Sequence, residues 1–298
     1  MKLFVFGYGY SASHYVDRLP PSRVLGVTVR SVEKAESLAK GRLSAFVFDG
    51  ESFDPDVANA LGEATHILVS VPPGHTAPPE AQVGGANAPE GDPVLKVYGE
   101  TIAEQCPELR WIGYLSTVGV YGDHGGGWVD EETPVDPRSE RSKSRVTAER
   151  GWLTLAERRG VPLAILRLSG IYGPGRNQFE SLKSGKAKRL IKPGQVFNRI
   201  HVDDIAGSLE LLAERTVGGI FNVTDDEPAP PQDVVTYAAE LAGVEPPPEV
   251  NFEQADLSSM ARSFYGDNKR VSNAKIKAAG YEFRYPTYRE ALAALKPG

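Results

Sequence analysis

The sequence predicts an α/β protein: a doubly wound parallel sheet with a smaller C-terminal substrate-binding cap. Three observations predict it. Short, almost continuously apolar runs recur along the chain, as strands buried on both faces require. Helix-like stretches separate them, as parallel pairing requires. A glycine-rich turn closes the first run and opens the first helix, in the manner of a dinucleotide-binding unit.

The runs are KLFVF (2–6), VLGVTV (24–29), SAFVF (44–48), HILVSV (66–71), LRWIGYLS (109–116) and PLAILRL (162–168). Helices are expected at 11–19, 31–40, 54–62, 93–105 and about 144–159. After residue 168 prolines and glycines multiply, and the alternation loosens. A helix at about 203–215 and the strand GIFNV (219–223) return to the sheet. Residues 1–168 with about 201–224 are therefore expected to form the dinucleotide-binding domain. About 169–200 and 225–298 form the cap. Residues 73–93, rich in Pro and Gly, read as a long loop.

The 298 residues carry 33 basic and 39 acidic side chains, a formal charge of -6. Such a chain has no general attraction for nucleic acid, so any anion site is local. The single cysteine, Cys106, allows no internal disulfide and reads as a small buried side chain. No apolar stretch reaches membrane-spanning length and no secretion signal is evident, so a cytoplasmic protein is expected, with no membrane partner. No metal site is expected.

FGYGYSA places Gly7, Gly9 and Ala12 in the pattern G-x-G-x-x-G/A. The first glycine makes the turn, the second lets backbone approach a pyrophosphate, and the third small residue lets helix and strand pack. Tyr8, Tyr10 and Ser11 complete the loop, whose helix end offers amide N–H groups to the phosphates. An NAD site wants an acid after the second strand. This chain has Arg30 and Ser31 there, which suit the 2′-phosphate of NADP, so NADP is expected and NAD is the lesser alternative. The bland alternative is a solvated arginine beside a helix cap. Asp49 and Gly50 end the third strand, where the acid either touches adenine or only closes its turn. Ser70, Val71 and Pro72 end the fourth strand and would line the cofactor with backbone.

With the later stretches LSTVGVYGD (115–123), TAERGWL (147–153), LRLSGIYGPGR (166–176), RIHVDDIAGSLELL (199–212) and GGIFNVTDDEP, the chain resembles the extended short-chain dehydrogenase/reductases, the NAD(P)-dependent epimerase/dehydratase family. The matches span nearly the whole chain in order. The resemblance implies that Leu115 lines the cofactor and that Thr117 hydrogen-bonds the reacting oxygen. It implies that Ser169, Gly170, Ile171 and Tyr172 pass beside the nicotinamide. It also implies homodimers through helices 93–105 and 144–159. Asp203 or Asp204 reads as a helix cap, and His201 as a structural histidine with a substrate-contact alternative.

One element of the family pattern, Tyr-x-x-x-Lys followed four residues later by Glu, is missing. Counting back from Glu149 puts Arg145 at the lysine position and Arg141 at the tyrosine position. A register through Lys143 puts Ser139 there instead. Arginine stays charged and is a poor proton carrier. Arg145 is therefore expected to hold the ribose, and Arg141 a substrate carboxylate or phosphate. Tyr121 is a weak candidate for the proton. Arg176, Lys183, Lys186, Lys188, Arg189, Lys192 and Arg199 gather in the cap region and suggest either a small anionic substrate, which Arg176, Lys192, Arg199 and His201 would meet, or an exposed charged cap. Two functions remain open: an NADP(H)-dependent reductase or epimerase/dehydratase-like enzyme, and a non-catalytic NADP(H)-binding sensor or scaffold.

Overall fold

The computed structural model describes residues 1–74 and 91–297, without the side chains of 259–261. Most of the expected 73–93 loop lies outside them. The elements in chain order are β1 (Leu3–Phe6), α1 (Tyr10–Val16), β2 (Val24–Val29), α2 (Val32–Lys40), β3 (Ala45–Val47), α3 (Pro55–Gly62), β4 (His66–Val69), α4 (Pro93–Glu104) and β5 (Trp111–Thr117). Then come β6 (Trp128–Val129), α5 (Glu140–Arg159), β7 (Leu163–Leu168), β8 (Gly170–Tyr172), α6 (Gln178–Lys183), β9 (Arg189–Ile191), β10 (Arg199–His201), α7 (Val202–Glu214) and β11 (Gly219–Val223). The chain continues with α8 (Pro231–Ala242), β12 (Glu249–Asn251), α9 (Ser259–Phe264), β13 (Arg270–Val271), α10 (Ala274–Ala278) and α11 (Tyr288–Leu295).

Among the described residues a seven-stranded parallel sheet runs in the order β11-β7-β5-β4-β1-β2-β3. The order reverses direction at β1, between β4 and β2, so the carboxyl ends of these strands flank a topological switch point. Both faces are covered, which is why the strands are apolar throughout. Phe4, Phe6, Ile67, Val69 and Ile112 pack with Tyr98 of α4 and Trp152 and Leu155 of α5.

The chain divides into two compact units. The first is Met1–Thr117, Ser139–Arg167 and Ala206–Phe221; the second is Val118–Arg138, Leu168–Ile205 and Asn222–Gly298. This corrects the expected boundary, because residues 118–138 belong to the second unit. Long-range pairing draws them there: β6 pairs in parallel with β13, and the Asn268 N–H donates to Asp123 Oδ1 at 2.8 Å. Neither contact follows from local sequence. The second unit has its own core, in which Phe179, Val234, Ala238, Tyr288 and Leu292 meet.

A second correction concerns α5, which starts a full turn before the expected 144. Ser139 caps it, its hydroxyl accepting from the Ser142 N–H at 3.1 Å. The basic stretch RSERSKSR is thereby largely helical, and Arg141 and Arg145 lie one turn apart on one face.

Candidate functional site

In the first unit, the turn after β1 is built on Gly7. Its φ is +88°, and a Cβ there would stand 3.0 Å from both the side chain and the amide nitrogen of Val71. Only glycine fits that conformation and that gap. The Gly7 N–H donates to Thr28 Oγ1 and the Tyr8 N–H to the Thr28 carbonyl, both at 2.8 Å, so the loop is stitched to β2. Gly9 is the N-cap of α1 and gives it no side-chain cap. A Cβ at Gly9 would meet nothing within 4 Å. The Gly9 N–H is given to the Gly7 carbonyl at 2.8 Å, and the open space lies beside the Gly9 α-carbon, where backbone can be approached. Ala12 is wholly buried and Ser11 nearly so, which seats the helix on the sheet. The Tyr8 phenol donates to Asp17 at 3.0 Å, and the Tyr10 ring lies 4.9 Å from that of His14.

At the end of β2, Arg30 is exposed and Ser31 caps α2, accepting from the Lys34 N–H at 3.3 Å. Asp49 is exposed, and its carboxylate accepts from the N–H groups of Glu51 and Ser52 and from the Ser52 hydroxyl. Those amides hold it below the usual carboxylate range. Its oxygens already serve its own turn, which Gly50 completes at φ +96°. After β4, the Ser70 N–H donates to the Phe6 carbonyl at 2.8 Å, Val71 abuts Gly7, and Pro72 is exposed.

At the end of β5, Thr117 is half-buried beside a polar cluster that the sequence reading did not identify. Glu149 Oε1 accepts from Ser116 Oγ at 2.5 Å and from Arg167 Nε at 3.2 Å, while Oε2 accepts from Arg167 Nη2 at 2.8 Å. Both ionic side chains are 5% exposed. The network ties α5 to β5, one residue before Thr117, and to β7. A charged residue inside the apolar run LAILRL was its signal, since a lone buried charge needs a partner. One turn before Glu149, the Arg145 guanidinium donates to the Leu115 carbonyl and, at 3.4 Å, to the Tyr114 hydroxyl. Arg145 is thus drawn to the end of β5. Arg141 stays exposed on the first turn of α5.

In the second unit, the Tyr121 phenol is buried and donates to Asn222 Oδ1 at 2.8 Å, a contact that fixes the loop after β5. The stretch 169–172 is held by pairing of β8 with β10, in the register Gly170–Arg199, Ile171–Ile200 and Tyr172–His201. The buried Ser169 takes the Val223 carbonyl through its N–H. The His201 ring is buried between Tyr172 and Tyr285, at 5.5 and 4.3 Å, and its Nδ1 accepts from the Asp203 N–H. That is the packing of a structural histidine. The Asp204 carboxylate accepts from the Tyr281 hydroxyl at 2.8 Å and from the N–H groups of Arg284 and Tyr285, so it fastens the C-terminal segment. Burial raises its pKa.

The basic stretch is largely committed to its own fold. Arg189 reaches the Pro247 carbonyl and pairs with Glu249 at 2.7 Å. Lys192 donates to the Tyr265 carbonyl and lies 5.3 Å over the Phe252 ring. Arg199 donates to the carbonyls of Phe197 and Ala229. Arg176 remains exposed. Beside Arg199, Asp225 is 1% exposed, and burial lifts its pKa well above the usual carboxylate value, against the pull of the Arg199 charge. Among the described residues, no group of three His, Cys, Asp or Glu side chains is placed to hold a metal ion.

The sequence profile of the NAD dependent epimerase/dehydratase family matches residues 99–224. Protein YeeZ of Escherichia coli K12 is 30% identical over 238 residues, covering 78% of this chain and 76% of YeeZ. The chain belongs to this family. A solved structure of a functionally unknown conserved protein from Silicibacter pomeroyi DSS is similar over 99% of this family member and 97% of its own chain, with 43% identity and a TM-score of 0.83. The human epimerase family protein SDR39U1, solved with NADPH, shares the fold at 16% identity and a TM-score of 0.71, with 99% of each chain covered. The family to which the chain belongs is described as NAD dependent, which makes its coenzyme a nicotinamide dinucleotide. No helix among the described residues is long and apolar enough to cross a membrane.

Proposed function

We propose that this chain binds NADP(H) on the Gly7–Ala12 loop and uses it in reductase or epimerase/dehydratase-type chemistry on a polar anionic substrate in the cytoplasm. The observation that carries the reading is the turn before α1: a glycine-only position at Gly7, open space beside Gly9 through which a diphosphate can approach the backbone, and Arg30 rather than an acid directly after β2. When bound, the nicotinamide supplies or accepts hydride. Arg145, held at the Leu115 carbonyl, positions the ribose. Thr117 offers its hydroxyl to the substrate oxygen. Arg141, on the same face of α5 as Arg145 and exposed, takes the substrate's negative group. Helices α4 and α5, bridged by Arg158 with Glu100 and Glu104, form the surface through which two copies pair.

The test is a fluorescence titration with NADPH and NADH, followed by turnover on a panel of keto-sugars and keto-acids. NADPH is expected to bind more tightly, and Arg30→Glu to narrow or reverse the preference. Thr117→Val is expected to lower turnover with coenzyme binding intact. Equal binding of the two coenzymes by the wild-type protein sinks the NADP reading.

A second reading, a non-catalytic NADP(H) sensor or scaffold, is favoured by Arg141 at the tyrosine position. A missing general acid lowers rates by about 10²–10⁴-fold. This reading expects tight, state-selective binding without turnover, and multiple-turnover hydride transfer excludes it.

A further inference from the structure

Asp92 is the N-cap of α4, and its Oδ1 accepts from the N–H groups of Val94 at 2.9 Å and Leu95 at 3.2 Å. Capping needs no charge, since Ser, Asn and Asp cap a helix about equally well. This acid is nevertheless buried, and its Oδ2 has no hydrogen-bond partner among the described residues. Burying a carboxylate is unfavourable unless donors or a positive charge face it. Serine or asparagine would cap α4 without that penalty, so the charge calls for a second role.

The surroundings supply one. The first turn of α4 lies directly on α5, since a Cβ on Gly151 would stand 2.7 Å from Leu95 Cδ1. The next residue of α5 is Trp152. Its buried indole nitrogen completes no hydrogen bond among the described residues, and its N–H acts on the Asp92 carboxylate. The Trp152 ring lies 6.1 Å from the Tyr114 ring of β5, and the Arg145 guanidinium lies 5.7 Å from that same Tyr114 ring. Within α5, Arg145, Glu149 and Trp152 follow at spacings of four and three, so they share one face. Glu149 is taken by Arg167. The acceptors of Arg145, the Leu115 carbonyl and the Tyr114 hydroxyl, carry no charge. A half-buried guanidinium on neutral acceptors wants a counter-charge, and Asp92 is a buried acid that its charge reaches. Burial pushes the Asp92 carboxyl up, while the Trp152 N–H, the two α4 amides and the Arg145 charge pull it down.

We infer that Asp92 is the positioning residue for Arg145: its carboxylate, braced by Trp152, keeps the guanidinium at the end of β5. Both bonds of Arg145 come from Nη1, which leaves Nε and Nη2 for a ligand. The consequence for the coenzyme rests on the reading above, in which Arg145 holds the ribose. A residue that caps α4 thereby also sets the strength of coenzyme binding.

The experiment is a double-mutant cycle. Asp92→Asn, Asp92→Ser, Arg145→Met and the Asp92→Asn, Arg145→Met pair are compared with the wild-type protein by urea unfolding and by titration with NADPH, followed by its fluorescence. Asparagine and serine keep the α4 cap, and circular dichroism checks the fold. Asp92→Asn and Asp92→Ser are each expected to weaken NADPH by about fivefold, and Asp92→Asn to change it by less than about twofold once Arg145 is Met. The urea midpoints are expected to be non-additive in the same cycle. Unchanged NADPH affinity in Asp92→Asn, or equal weakening with and without Arg145, would reduce Asp92 to a cap and overturn the inference. Additive urea midpoints overturn it too. A wild-type protein that binds no coenzyme overturns the proposed function instead, and the urea cycle then decides: non-additive midpoints uphold the link between Asp92 and Arg145, and additive ones refute it.

Discussion

The phosphate loop of the first unit and the 176–201 stretch of the second were both expected to meet negative charge, and they use their donors in opposite directions. In the loop the approach is to backbone, past the open space at Gly9 and through a turn that only Gly7 can make. In the second unit Arg189, Lys192 and Arg199 turn inward to main-chain carbonyls and so hold the fold. A site made of backbone is set by local geometry. A site made of long cationic side chains is set by whichever acceptor the tertiary fold brings near.

The sharpest way to break that contrast is to remove what holds each region. Glu149→Ala strands the Arg167 guanidinium and the Ser116 hydroxyl in the interior. It is expected to lower unfolding stability by about 3–5 kcal/mol in urea, and a Glu149→Leu, Arg167→Met pair to recover much of the loss. A small effect would mean that the end of β5 is not held by this network. Asp204→Ala leaves the Tyr281 hydroxyl and two amides without their acceptor in the second unit. The expected loss is about 3 kcal/mol, with early proteolysis near residues 281–285. Gly7→Ala forces a Cβ against Val71 at positive φ, with an expected loss of about 1–3 kcal/mol and of dinucleotide binding in calorimetry.

The last prediction concerns slope. Burial raises the Asp225 pKa in the folded protein above its unfolded value, so the folded state binds that proton more tightly. This acid therefore supports stability at low pH, and the support is lost as pH rises from the unfolded value, about 3.9, through the folded one. Asp225→Asn should flatten that part of the melting-temperature profile and gain stability relative to wild type as pH approaches neutrality. An unchanged profile would show that Arg199 compensates the buried carboxylate fully.

The alternation of strands and helices and the glycine turn were legible in the chain, because each depends on residues close in sequence or on a period that packing must obey; the Arg145 contact with Leu115 spans 30 residues and was not. Arg167 was legible in principle, as a charge in a run otherwise apolar. Of the two acids read as cap candidates, Asp204 binds instead to the C-terminal segment, and nothing near it in sequence announces Tyr281, Arg284 and Tyr285. Residues 118–138 were assigned to the wrong unit for the same reason: their partners, Asn268 and β13, lie far along the chain.

By itself, then, the sequence determined a doubly wound sheet and a tight glycine turn after its first strand, since apolar period and a positive-φ glycine are local properties. The tertiary structure alone decided which cations remain turned outward, which acids are buried with their pKa raised, and that Arg145 reaches the Leu115 carbonyl. Those outcomes depend on desolvation and on acceptors contributed by distant segments, and no short stretch of chain encodes either.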